Sequence, residues 1–265
     1  MRAFQSADQS AHSRRFARVK ASSRDSAVEN LPQFLLSLAL GGYALGGVGG
    51  LLCLRHEKAA NGLTFGLASA AALAGIGAAL AFLLGGPATQ PATFNALPTL
   101  IPYVQFAVRL DALGAFFVLV LSVVALAISI FSLGYVRSFY GRKNVGVLGA
   151  FYNALLLATT LVLTAANAFF FLIAWEIMAL TAYCLVSFEH EHEETRRAGV
   201  LYFVMSHIGT GCLILGFLLL FQASGVYDFD AYRGLGNQMS PGARNAALRD
   251  PGDMFWPSAW KLANA

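Results

Sequence analysis

Charge is scarce in this chain. Lysine, arginine, aspartate and glutamate together make up 12% of the 265 residues, against roughly 25% in a soluble domain. With 57% of residues hydrophobic, too few polar side chains remain to clothe a water-facing surface, which makes this an integral membrane protein. Cysteine is scarce too. Cys53, Cys184 and Cys212 all lie in apolar runs, with neither metal-ligand spacing nor a disulfide framework, and read as small apolar residues. No glycine-rich phosphate loop, nucleophile triad or cofactor fingerprint is present, so neither a cofactor nor a catalytic residue is assigned. Basic residues form no face outside the N-terminal tail, which excludes nucleic acid as a partner. A secretory signal is also lacking, because the first apolar run is too long and begins too late.

What is present is long apolar segments. Six reach spanning length, at about 33–54, 62–85, 112–135, 146–165, 168–188 and 198–222. They predict an all-α, polytopic transmembrane bundle over 31–222. Residues 1–30 read as a disordered basic tail, and 223–265 as a polar tail with no seventh span. Asp8, Asp25 and Glu29 speak against a transit peptide in the Arg- and Ser-rich start. The first segment carries Gly41, Gly42, Gly46, Gly47, Gly49 and Gly50, as expected where helices approach closely. The proline-bearing linker 86–111 predicts an extended loop or a short surface helix. Asp111 reads as the N-cap of the third helix. Only Ala165–Asn167 separate the fourth and fifth segments, which predicts a tight antiparallel hairpin.

The fifth segment holds the residue hardest to explain by packing. Glu176 sits near the middle of an apolar run, where a carboxylate is costly and normally faces a bundle interior or a water-filled path. At 100° per residue it shares a stripe with Phe169, Leu172, Leu180, Tyr183 and Ser187. A proton-handling role is preferred over a protonated, purely structural glutamate. His207 lies inside the sixth segment, with Ser206, Thr210 and Gly211 beside it. It is either bonded to a backbone carbonyl or part of a proton relay. Counted from the shared loop, Glu176 lies about 18 Å deep and His207 about 14 Å deep, so the two are within reach if their faces meet. The loop 189–197 is rich in His and Glu, but its spacing fits no standard closed metal site, and none is assigned.

Orientation follows from Lys and Arg in the loops. Arg55, Lys58, Arg137, Arg142, Lys143, Arg196 and Arg197 fall on one side, and Arg109 alone on the other. The first set is expected to be cytoplasmic, although the basic N-terminal tail argues the opposite way. Cysteines introduced near Arg55, Arg142 and Arg196 are therefore predicted to react only with cytoplasmic reagent. Labelling from the periplasm of intact cells would reverse the topology.

Three stretches carry a family likeness. RLDALGAFFVLVLSVVALAISIFSLGYV (109–136), WEIMALTAYCLVSFE (175–189) and RRAGVLYFVMSHIGTGCLILGFLLL (196–220) resemble the antiporter-like membrane subunits of respiratory complex I and its relatives. The Glu/His-rich loop followed by RRAG and SHIGT resembles above all the hydrogenase-4 / formate hydrogenlyase branch. The resemblance covers about 33–247. It implies a subunit that converts electron transfer in partner subunits into proton movement, in a bacterial inner membrane, with no catalysis by this chain alone. It implies other membrane subunits and a peripheral hydrogenase or dehydrogenase arm as partners. Glu176 matches the family's fifth-helix glutamate, and His207 a histidine of the hydrogenase branch; Tyr183 joins them on the stripe. The partner lysine two helices later, the broken helix and the second repeat of the family have no counterpart here. After SPGARNAAL (240–248) the chain reads RDPGDMFWPSAWKLANA where a seventh helix is expected, which reads as a truncated or shifted frame. An Mrp-type cation/proton antiporter subunit and an inactive membrane scaffold are the alternatives.

Overall fold

The computed structural model describes residues 30–85, 92–95, 106–189 and 191–233. Of the two tails read from the sequence, 1–29 and 234–265 lie outside the described residues, as do His190 and most of the linker. Among the described residues, six helices are long and apolar enough to cross a membrane: α1 (Asn30–Leu52), α2 (Glu57–Leu84), α3 (Ala112–Tyr135), α4 (Val145–Thr164), α5 (Ala168–Val186) and α6 (Glu193–Ser224). The expected all-helical bundle of six spans is borne out. A short α7 (Phe229–Arg233) follows α6.

Small residues build the interior and large apolar ones the exterior, the inverse of a soluble bundle. Ala60, Ala68, Ala71, Ala72, Ala78 and Ala79 of α2 are all buried, while Phe116, Ile130 and Phe131 of α3 are more than half exposed. Lipid tails are as apolar as leucine, so helices associate through close packing and interhelical hydrogen bonds rather than by escape from water. Gly42 and Gly50 of α1 show this. A Cβ on Gly42 would stand 2.8 Å from that of Ala71, and one on Gly50 would stand 2.6 Å from the Gly146 carbonyl oxygen of α4. Gly41, by contrast, faces open space. Asn153, fully buried in α4, donates to the carbonyls of Thr64 (3.1 Å) and Gly149 (2.9 Å) and so ties α4 to α2.

Asp111 is the N-cap of α3, accepting from the Gly114 amide at 2.7 Å. Asn167 caps α5 in the same way, accepting from Phe170 N at 2.8 Å. With only 165–167 between them, α4 and α5 form the expected hairpin. The cysteines are free and half-buried.

The linker departs from expectation. Ala92–Asn95 (β1) and Ala107–Leu110 (β2) form an antiparallel pair with Thr93 opposite Arg109. This is a strand pair rather than a loop or surface helix, because β2 finds partners far along the chain. Its outer edge is covered: Ala166 N donates to Ala107 O (2.9 Å), Ala168 N to Tyr227 O (2.9 Å) and Phe229 N to Ala166 O (3.3 Å). Arg109 is ion-paired with Asp230. That bond raises the pKa of the guanidinium against the opposing effect of burial. The chain reaches this seal because α6 ends at Gly225, whose φ of +74° turns it back toward α5.

The basic loops gather at the other end of the bundle. Glu57 accepts from Gly141 N, and Lys143 reaches the Phe188 carbonyl (3.5 Å) and Glu191 (3.8 Å).

Candidate functional site

α5 and α6 are adjacent, and small residues set their separation. Gly199 and Thr210 are the buried residues of α6. A Cβ on Gly199 would collide with Ser187 Oγ and stand 3.5 Å from the Tyr183 ring. Thr210 satisfies its hydroxyl within α6, donating to Ser206 O at 3.1 Å, and so presents a methyl-bearing, apolar face. The rest of α6 is largely uncovered.

This contact brings Glu176 and His207 together. Glu176 Oε2 lies 3.5 Å from His207 Nε2. The other ring nitrogen, Nδ1, lies 2.9 Å from the Phe203 carbonyl one turn earlier. A carbonyl only accepts, so Nδ1 carries a hydrogen and donates it. In the neutral ring the lone pair therefore sits on Nε2 and faces the carboxyl group. The backbone bond expected in one reading of His207 is present, and it aims the second nitrogen at Glu176.

Such a pair has two states of equal composition, a carboxylic acid beside a neutral imidazole and a carboxylate beside an imidazolium. At 3.5 Å the atoms are slightly beyond the usual hydrogen-bond range of about 2.7–3.2 Å. Exchange needs the gap to close by a few tenths of an ångström, or one bridging water. Neither side chain is sealed off: 41% of the His207 side chain and 34% of that of Glu176 remain exposed.

Tyr183, on the same stripe as Glu176, packs its ring on Phe203 with centroids 5.2 Å apart, and Phe203 in turn lies 4.1 Å from the His207 ring. The phenol thus neighbours the pair through an aromatic ring. Trp175 stacks on Phe171. In the polar loop, Glu193 pairs with Arg197 (2.7 Å) and Glu191 with Lys143, so these acids point to separate cations. No group of three potential metal ligands occurs among the described residues.

Sequence reasoning missed the Arg109–Asp230 pair. The signal was the single cation in the interhelical loops of the non-basic side, but its partner lies 121 residues away. It also missed a second cluster of polar residues at the basic end, where Asn61 bonds Tyr140.

Residues 165–246 match the NADH:quinone oxidoreductase/Mrp antiporter transmembrane family. The chain is 34% identical over 146 residues to hydrogenase-4 component B of Escherichia coli, covering 55% of this chain and 21% of that protein. It is 31% identical over 207 residues to NADH-quinone oxidoreductase subunit L of Mycobacterium tuberculosis, covering 74% of this chain and 30% of that one. It thus spans between a fifth and a third of these relatives' length. Two solved structures share the fold. One is the membrane-bound sulfane sulfur reductase, an archaeal respiratory membrane complex, with a TM-score of 0.63 at 19% identity over 83% of this chain and 42% of that one. The other is the Mrp complex from Dietzia sp., with a TM-score of 0.62 at 17% identity over 80% of this chain and 22% of that one. The likeness read from the sequence is borne out: this multi-pass membrane protein is similar, over part of their length, to antiporter-like subunits of such complexes.

Proposed function

We propose that this antiporter-like chain belongs to a redox-driven proton pump of hydrogenase-4, formate hydrogenlyase or NADH:quinone oxidoreductase type in a bacterial inner membrane. Glu176 and His207 carry its proton. The supporting observation is their 3.5 Å approach on adjacent apolar helices, with the histidine tautomer fixed by the Phe203 carbonyl. Protonated Glu176 gives its proton to Nε2, and the imidazolium returns it when the local field changes. A full ion pair away from water is costly, and neutralising it by proton return removes that cost, so the balance responds to charges nearby. Tyr183, two turns from Glu176 and about 10 Å along the axis, is the next group on the route. Electron transfer is assigned to a peripheral hydrogenase or dehydrogenase arm held by other membrane subunits.

The test is isolation of the tagged chain from its native membranes. A redox arm is expected to accompany it, and vesicles are expected to take up protons when electron donor is supplied. Sodium-dependent proton exchange with no redox arm would replace this reading with the Mrp-type antiporter. Absence from any complex would leave a membrane scaffold.

A further inference from the structure

A cavity of about 350 Å³ opens at the basic end of the bundle, away from Glu176, on the seam between α2 and the end of α3. It is lined by Lys58, Asn61, Gly62, Leu133, Arg137 and Tyr140, two cations and no acid. Glu57, beside Lys58, is not part of the lining; its carboxylate accepts from Gly141 N at 2.9 and 3.0 Å. Among the described residues no ion pair engages Lys58 or Arg137.

Tyr140 adds a third donor, for a reason visible in its bonds. Asn61 is 4% exposed, and its Nδ2 donates to both Leu133 O (3.1 Å) and the Tyr140 hydroxyl (2.8 Å). The Leu133 carbonyl only accepts, so the amide cannot be turned over, and nitrogen must stand there. The Tyr140 oxygen is therefore the acceptor in its bond. Its own hydrogen stays available to the cavity that it lines. Ammonium, guanidinium and phenol together suit an anion rich in oxygen, and basic pockets between spanning helices suit lipid head groups.

The surroundings indicate where the anion comes from. Leu63, Ile130, Phe131 and Tyr135 stand exposed on the same two helices. Gly62 and Gly66, one turn apart on α2, have no atom within 4 Å of where a Cβ would be, which leaves open space leading from the cavity along the helix. We propose that the cavity binds the phosphate group of an anionic phospholipid whose acyl chains lie along α2 and α3. Free inorganic phosphate offers the same head-group chemistry without the chains.

The test uses the full chain purified in detergent. It is titrated with phosphatidylglycerol, phosphatidylcholine or inorganic phosphate, with binding read by native mass spectrometry and by thermal unfolding. Phosphatidylglycerol is expected to bind about ten- to thirtyfold more tightly than phosphatidylcholine, from two cations at the membrane surface. The paired change Lys58→Gln with Arg137→Gln should abolish that preference. The control pair Arg196→Gln with Arg197→Gln, of equal charge at the same end, should keep it. Tyr140→Phe, which also removes the acceptor of the Asn61 bond, should weaken phosphatidylglycerol binding severalfold, measured against that variant's own lipid-free unfolding. Three results would each overturn the proposal: no preference in the unaltered chain, an equal loss in the control pair, or equal stabilisation by inorganic phosphate.

Discussion

Glu176→Gln, placed in the complete subunit within its complex, is expected to lower proton translocation by about two orders of magnitude. Glutamine has nearly the same shape and still faces His207, so packing between α5 and α6 persists and assembly should be unaffected. What disappears is the group that can hold or release a proton 3.5 Å from Nε2. His207→Ala should cost less, about tenfold, because a single water in the vacated space can stand in for the imidazole. The double change should cost no more than Glu176→Gln alone, since residues acting in one step do not add. Dye-reported acidification of inverted vesicles, normalised to electron-transfer rate, measures all three. Full pumping by Glu176→Gln would remove the proposed function, and additive losses would show that the two residues act separately.

The second large effect concerns the seam between α1 and α4. A methyl group on Gly50 would stand 2.6 Å from the Gly146 carbonyl oxygen, 2.9 Å from Thr64 Cγ2 and 3.1 Å from the Ala150 amide nitrogen. Two of these atoms are backbone, so no side-chain rotation relieves the clash and the helices must separate. Gly50→Ala should destabilise the bundle by about 1–3 kcal/mol, the usual range for overpacking. Gly41→Ala, on the same helix but facing open space, should be neutral or should stabilise by about 0.5–1 kcal/mol through helix propensity. Unfolding in mixed micelles distinguishes them. Similar midpoints for the two variants would mean that α1 does not lie against α4 in this way.

The six spans were legible because apolar length is a local property of a sequence. The third agrees in full, 112–135, where Asp111 marks the start chemically. The sixth was read from 198 but begins at Glu193, and the second from 62 but begins at Glu57. In both, the first turn is polar, so hydropathy registers the membrane-crossing part and not the helix that extends beyond it. The depths of Glu176 and His207 were legible by counting rise per residue. That they face each other was not, because it depends on which side of α6 is small enough to meet α5, and Gly199 and Thr210 settle that only once the helices are packed. Likewise, six glycines in α1 advertised close contact but could not say that Gly50 touches a backbone while Gly41 touches nothing. The pairing of Ala92–Asn95 with Ala107–Leu110 was lost to the prolines around it, since its stabilising partners at 165–168 and 227–230 lie far along the chain.

Those distant partners put a clock on synthesis. Asn167 and the residue it bridges, Asp228, are 61 positions apart, which at about 5–20 residues per second separates their emergence by roughly 3–12 s. During that interval the α4–α5 turn has left the membrane with its backbone amides still hydrated, and Arg109 waits without Asp230. The last strokes of translation through α6 therefore decide when this end of the molecule closes. Until then Arg109 counts as a full positive charge in interhelical loops that carry no other, and the arrival of Asp230 neutralises it.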